Sequence, residues 1–236
     1  MYIFSSQLIW IALLSWTPAI TGIVCAKVFY PGERVLGIKA KIRPVYLILG
    51  VIIPFVCIIP SCMISWSIVG DPANMENISA FIAVDLLLYL VLAAGEEIGW
   101  RGFAYPVLKR VYGPFRAVLI NGTLWAVWHF ALILTGKYSF PVDFSYGIAV
   151  FTAGCIIESV ICGWLRTKSG SIVPVIIFHS LYNILCMDFL EAMTTNEKTF
   201  YLAGETGIIT LLFTLAAATV LIRSRKNEKH ESETAI

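Results

Sequence analysis

Charge is what this chain has least of. Only 14% of its 236 residues are Asp, Glu, Lys or Arg, against about 25% in a soluble domain, so its surface cannot face water throughout. The formal net charge of +2 leaves no basic footprint, which argues against nucleic acid as a partner. The six cysteines (Cys25, Cys57, Cys62, Cys155, Cys162 and Cys186) show no CxxC spacing, and all fall in apolar stretches, so they read as small packing residues. No Lys or Arg precedes Lys27. The charged start of a secretory signal is therefore missing, and the first apolar span is expected to be a retained transmembrane helix. HExxH is absent too, and with it the strong helical zinc signature.

What the chain has instead is long apolar runs, with 58% of its residues hydrophobic. A helix crosses the bilayer hydrocarbon with about 20 such residues, which places spans at roughly 7–29, 44–69, 79–104, 115–135, 143–165, 172–190 and 201–222. Turn residues mark the breaks: Pro31-Gly32, Asp71-Pro72, Gly113-Pro114, Pro141 and Gly170. The fold expected is all-α, a polytopic membrane helix bundle of about seven transmembrane helices. Residues 223–236 read as a short disordered polar tail.

Positive charge sets the expected orientation. Fifteen of the seventeen basic residues gather around alternate loops, from Lys27, Arg34, Lys39, Lys41 and Arg43 at the first to Arg223, Arg225, Lys226 and Lys229 after the last span. That side is expected to be cytoplasmic, which puts the C-terminus inside and the N-terminus outside. The opposite loops hold only Lys137 and Lys198, beside Asp71, Glu76, Asp188, Glu191 and Glu197.

Residues 95–103, GEEIGWRGF, then put two glutamates and an arginine deep in an apolar span. A charged side chain there costs about 2.5–3.5 kcal/mol on insertion scales, so it is seldom idle. From the helical rise, Glu96 lies about 25 Å from the outer end of its span and His129 about 21 Å from the inner end of the next. His179 and Asn183 lie roughly 10–17 Å in from the inner end of theirs, so all four can meet in the cytoplasmic half of the bilayer.

Residues four apart share a helix face, which pairs Glu97 with Arg101, Trp125 with His129, and His179 with Asn183. Glu96 and Glu97 point about 100° apart and cannot share one task. One division has Glu97 neutralise Arg101, leaving Glu96 toward the bundle interior as a base. Peptide hydrolysis needs a base for water and donors for the tetrahedral oxyanion. A carboxylate with an imidazole supplies the first, and an imidazole with an amide the second. A metal is the competing account. Glu96, His129 and His179 could form an open His₂Glu site for a divalent ion such as zinc, with the base then another carboxylate. The metal-free reading is preferred.

EExxxR at 96–101, aromatic-x-x-x-His at 125–129 and HxxxN at 179–183 resemble the motifs of the CPBP family, the CAAX-protease, bacteriocin-processing or Abi group, also called type II CAAX prenyl endopeptidase-like. The surrounding GEEIGWRGFAYPVL, LWAVWHF and SIVPVIIFHSLYNIL fit as well, although Trp125 stands where the second motif usually has Phe. The resemblance covers about residues 80–190. It implies an intramembrane endopeptidase, with a conical site open to the cytoplasmic side, acting on a hydrophobic or lipidated peptide or membrane protein. Glu96 and His129 would activate water, His179 and Asn183 would hold the oxyanion, and Glu97 with Arg101 would order the site. The family is often labelled metalloprotease, and the likeness leaves a metal open. By this reading residues 1–78 hold two N-terminal helices, 79–190 the catalytic core, 191–222 a last span and 223–236 the cytoplasmic tail.

Other polar residues have structural readings. Asp85 and Tyr89 share the face of Glu96 and are expected to make interhelical hydrogen bonds. Glu158 either orients a histidine or pairs with Arg166, and Asn121 sits two turns before His129. Gly95 and Gly99 form a small-xxx-small pair that lets a neighbouring helix approach. Two non-peptidase readings compete: a non-catalytic membrane partner or bacteriocin self-immunity factor of the same fold, and a proton-coupled transporter. No Gly/Pro-broken helices recur in matching halves, which counts against the transporter.

Overall fold

The computed structural model describes residues 6–38, 41–71 and 82–234, with side chains over 10–38, 41–71 and 84–224. Lys39, Glu76, the boundary expected at residue 78 and the side chains of Arg225, Lys226 and Lys229 lie outside what it describes. The helices are α1 (Ser6–Phe29), α2 (Pro44–Val69), α3 (Ile82–Glu97), α4 (Tyr105–Leu134), α5 (Phe144–Ser169), α6 (Val173–Asn183), the short α7 (Leu190–Met193) and α8 (Ile208–Thr234). No strand occurs among the described residues.

Five stretches are long and apolar enough to cross a bilayer: Trp10–Phe29, Pro44–Val69, Val84–Leu134, Phe144–Ser169 and Val173–Met193. A shorter apolar helix, Ile208–Ser224, follows. The separate spans expected at 79–104 and 115–135 form one run, interrupted where Gly113 takes φ 76° and ψ 168°. Only glycine enters that conformation at low cost, so the Gly113-Pro114 pair turns the chain without a loop. Large aliphatic residues such as Leu13, Ile52, Met63, Leu212 and Val220 stay exposed on the outer faces. Such a continuous apolar surface suits lipid and not water. The fold is a polytopic helical membrane bundle.

One reading needs correcting. The segment taken as a disordered tail continues α8 as helix to Thr234. Its Arg, Lys and Glu residues are strong helix formers, and an existing helix extends at small cost.

The interior is built around α2, α5 and α6. Ile53, Cys57, Ile58 and Cys62 of α2 meet Ile161, Cys162 and Leu165 of α5 and Phe178 of α6. Five of the six cysteines, all but Cys25, are buried in the apolar core and pack as small apolar residues. On the other flank α1 lies against α3 and the segment after it. A Cβ on Gly95 would stand 2.6 Å from the Ser15 carbonyl oxygen, and one on Gly99 only 2.3 Å from that of Pro18. Both glycines therefore let two backbones touch, as small-xxx-small spacing predicts. Pro18 removes an N–H inside α1, and the Thr17 hydroxyl donates to the nearby Leu14 carbonyl at 2.7 Å.

At the end opposite the basic loops, Asp71 fastens α2 to the segment before α8. Its carboxylate accepts from the Thr195 hydroxyl at 2.6 Å, the Thr199 hydroxyl at 3.2 Å, and the Thr195 and Asn196 backbone N–H groups at 3.1 and 3.0 Å. Burial alone would raise the Asp71 pKa, but these donors outweigh it and hold the carboxyl below the usual range. A lowered folded-state pKa adds stability that is present above the ordinary carboxylate range and lost as pH falls through the folded value. Asp71→Ala is expected to lose about 1–3 kcal/mol at neutral pH. Thermal unfolding in detergent should show the gap to wild type narrowing in acid.

Candidate active site

Helix α3 delivers Glu96 and Glu97 to different neighbours, as their 100° separation about the axis requires. Glu97 faces α6 and its own next turn. Its Oε1 accepts from Arg101 Nη1 at 2.7 Å and from His179 Nδ1 at 3.0 Å. Glu97 and Arg101 are both 0% exposed. Arg101 lies with Cζ 4.2 Å from the Trp125 ring centroid, and its Nη2 reaches the Ser159 hydroxyl at 3.5 Å. Ser159 donates to Asn121 Oδ1 at 3.3 Å, and Asn121 donates to the Trp100 carbonyl at 3.3 Å. The Asn121 flagged by its spacing from His129 thus supports Arg101 instead.

Glu96 faces α1 and α4. Its Oε2 accepts from Trp125 Nε1 at 2.8 Å and its Oε1 from the Ser15 hydroxyl at 3.3 Å. The expectation of a free interior base is therefore corrected: Glu96 is 6% exposed, and both its oxygens are engaged. Ser15, on a helix that carries no motif, had no sequence signal.

The segment after Glu97 is π-helical over Ile98–Ala104. Tyr105 N–H reaches the Trp100 carbonyl, five residues back. Pro106 supplies the cause, because a proline inside a helix clashes with the carbonyl four residues before it and has no N–H to donate. In the wider register the Arg101 carbonyl would have paired with residue 106. Arg166 takes that carbonyl instead, donating from Nε at 3.1 Å while its Nη2 donates to the Val35 carbonyl at 2.8 Å. Arg166 therefore does not pair with Glu158. A second π-helical segment, Ile184–Phe189, begins directly after Asn183. Such segments recur at functional positions in helical proteins.

The two histidines are turned alike. His129 Nδ1 lies 2.9 Å from the Trp125 carbonyl, which can only accept, so Nδ1 is the protonated nitrogen in the neutral ring. His179 Nδ1 is likewise spent on Glu97. Each ring thus has its Nε2 without a partner among the described residues. Both border an internal cavity of about 40 Å³, shared with Asn183, Glu158, Tyr138 and Glu205. That volume admits about two or three waters. Glu158 orients neither histidine, since both Nδ1 atoms are occupied by other acceptors. The Tyr138 hydroxyl donates to Glu205 across the far side. Tyr89, as expected, makes an interhelical bond, to Asp188 Oδ1 at 3.0 Å.

Two expectations fare differently here. His129, His179 and Asn183 do share one cavity, but Glu96 is not in its wall; it stands behind the Trp125 indole. Tyr138 and Glu205 of the lining come from the end opposite the basic loops, and no basic-loop residue among the described residues lines the cavity. As for a metal, no three His, Cys, Asp or Glu among the described residues are arranged to hold one. Glu96, His129 and His179 do not fit as a ligand set with Glu96 held by Trp125 and Ser15.

The pairing of Glu97 with Arg101 yields a test by subtraction. Glu97→Ala strands a guanidinium in a dry interior and is expected to cost about 3–5 kcal/mol of stability. Replacing both residues together, Glu97→Leu with Arg101→Met, should restore most of that loss in a thermal melt. If the double variant unfolds as early as Glu97→Ala, the pair is not what penalises the single change.

The family model for type II CAAX prenyl endopeptidase Rce1-like proteins matches residues 78–185, a stretch that contains Glu96, Glu97, Arg101, His129, His179 and Asn183. CAAX prenyl protease 2 of Methanococcus maripaludis is 36% identical over 141 residues, covering 58% of this chain and 48% of that protein. The chain spans about half the length of this curated relative. The matched stretch, which carries every motif residue of the site, is thus similar to the type II CAAX prenyl endopeptidase Rce1-like proteins.

Proposed function

We propose that this protein is an intramembrane endopeptidase that hydrolyses a peptide bond in a hydrophobic or lipidated, CAAX-like peptide or membrane protein. One observation carries the reading. Buried His179 and half-buried His129 line the same water-sized cavity with Asn183, and each ring has Nδ1 bonded and Nε2 without a partner among the described residues.

In the reaction, His129 Nε2 takes a proton from a cavity water as that water attacks the scissile carbonyl. Glu96, one indole away, supplies the negative charge that steadies the imidazolium. It can touch the water itself only after leaving Trp125 Nε1. The carbonyl oxygen, now an oxyanion, is met by the Asn183 amide and by His179. To donate from Nε2, His179 must carry both protons, and the Glu97 carboxylate on its Nδ1 is the partner that favours this. Glu97 and Arg101 hold that ring in place and touch no substrate. Every step runs on these side chains and water, without a metal.

Purified protein in vesicles should cleave members of a membrane-tethered peptide library that includes prenylated tails. His129→Ala is expected to slow cleavage about 10²–10⁴-fold, and Glu96→Gln and Asn183→Ala each about 10²–10³-fold. A chelator should leave the rate unchanged. A wild type that cleaves nothing would point to the non-catalytic partner or immunity reading, and Glu96→Gln cleaving like wild type would remove Glu96 from the reaction.

The orientation proposed alongside follows the basic loops: C-terminus and the Arg34, Lys41 and Arg43 loop cytoplasmic, N-terminus outside. A single cysteine placed at Lys198 in a cysteine-free background should react with an impermeant maleimide only from the outer face. Labelling solely from the cytoplasmic face would reverse the topology.

A further inference from the structure

Once the motif residues have their tasks, one titratable group in the cavity has none. Glu158 of α5 is 8% exposed and borders the cavity with His129, His179 and Asn183. Among the described residues its carboxyl has no hydrogen bond and no ion pair. Arg101 is occupied with Glu97, Ser159 and the Trp125 ring, and Arg166 with the Val35 and Arg101 carbonyls. The other carboxyl in the wall, Glu205, differs in that the Tyr138 hydroxyl is bonded to it.

The direction of Glu158 is given by Gly154, one turn earlier. A Cβ there would lie 3.7 Å from Glu158 Oε1 and 3.9 Å from the Glu205 carbonyl oxygen. The carboxyl therefore lies back along α5 over a glycine, in space that a side chain would share. A buried carboxyl aimed into a water-sized cavity without a partner is costly for the fold, and such groups mark functional positions more often than packing. The proposed hydrolysis also has a vacant role. An amide nitrogen leaves only with a proton, and a base that has just taken one from water is needed near the attacking side.

We infer that Glu158 is the general acid of this reaction, donating a proton to the departing amine. The inference rests on the peptidase reading above. Water oxygen bonds to the carbonyl carbon while its proton passes to His129 Nε2. The tetrahedral centre then collapses: the C–N bond breaks, its electron pair stays on nitrogen, and that nitrogen takes the Glu158 proton. The products are a carboxylic acid and an amine, with Glu158 left as carboxylate and His129 as imidazolium. Transfer of the His129 proton back to Glu158 through cavity water restores both, with no other reactant required.

The test compares two scissile bonds in one tethered peptide, the amide and the matching ester, cleaved in vesicles by the full chain and its Glu158→Gln variant. An alkoxide leaves with far less help than an amine anion. Glu158→Gln should therefore lose about 10²–10⁴-fold on the amide and clearly less, under about tenfold, on the ester. Glu158→Asp, which keeps an acid at shorter reach, should recover part of the amide rate. Equal losses on both bonds, as a merely structural role would give, overturn the inference, and so does undiminished amide cleavage by Glu158→Gln. In either of those outcomes the peptidase reading stands. A wild type that cleaves neither bond overturns both.

Discussion

A guanidinium with no exposed surface sits inside this bundle, and the rest of the site depends on how it is held. An uncompensated charge at that depth would cost several kcal/mol. Glu97 Oε1 meets it at 2.7 Å, and the Trp125 face covers it at 4.2 Å. The same carboxylate oxygen takes His179 Nδ1, so the ion pair that neutralises Arg101 also sets the direction in which His179 presents Nε2. Ser159 and Asn121 complete the support from α5 and α4. Structure and chemistry are not separable at Glu97, because one atom serves both.

The register of that cluster comes from a proline outside it. Pro106 cannot donate to the carbonyls before it, and the chain accommodates this by widening over Ile98–Ala104. The widening turns the Arg101 carbonyl out to Arg166, which in turn grips the Val35 carbonyl in the loop after α1. Two backbone segments that no motif links are thus fastened by one side chain. On the opposite flank the glycines at 95 and 99 let α1 reach α3, which is what brings Ser15 to Glu96. Helix α1 lies outside residues 78–185, yet it supplies a hydrogen bond to a proposed catalytic carboxylate.

Local periodicity made part of this visible in the sequence. Four-residue spacing paired Glu97 with Arg101 and Trp125 with His129, and both pairs make hydrogen bonds, the second through the Trp125 carbonyl. Apolar runs gave the membrane class, and Gly95 and Gly99 the close approach. What spacing could not supply was rotation between helices. The bonds Glu97–His179, Ser15–Glu96 and Tyr138–Glu205 join residues more than sixty positions apart. Which face of α3 meets which neighbour is decided by packing summed over the whole bundle. The assignment of Glu96 as a free base erred for that reason, and so did the pairing of Arg166 with Glu158. The π-helical segments were also beyond reach, since a proline such as Pro106 can be met by a kink or a break as well as by a wider register.

Trp125 shows how a small departure from a motif changes the chemistry open to its neighbours. Its indole N–H holds Glu96 at 2.8 Å, its face covers Arg101, and its ring meets His129 and His179 edge-on at centroid distances of 5.7 and 5.2 Å. A phenylalanine at this position, the usual residue of the motif it resembles, would keep the packing and lose the N–H. A hydrogen bond to a carboxylate contributes about 1.5–3 kcal/mol. Glu96 lies outside the cavity wall, so moving into it would give that bond up, and only a comparably strong contact with the water or the substrate can offset it. His129 bears no such cost, because it already lines the cavity with its Nδ1 bonded to the Trp125 carbonyl. In the proposed reaction water activation therefore begins at the imidazole, and Glu96 contributes through its charge until a substrate draws it away from the indole.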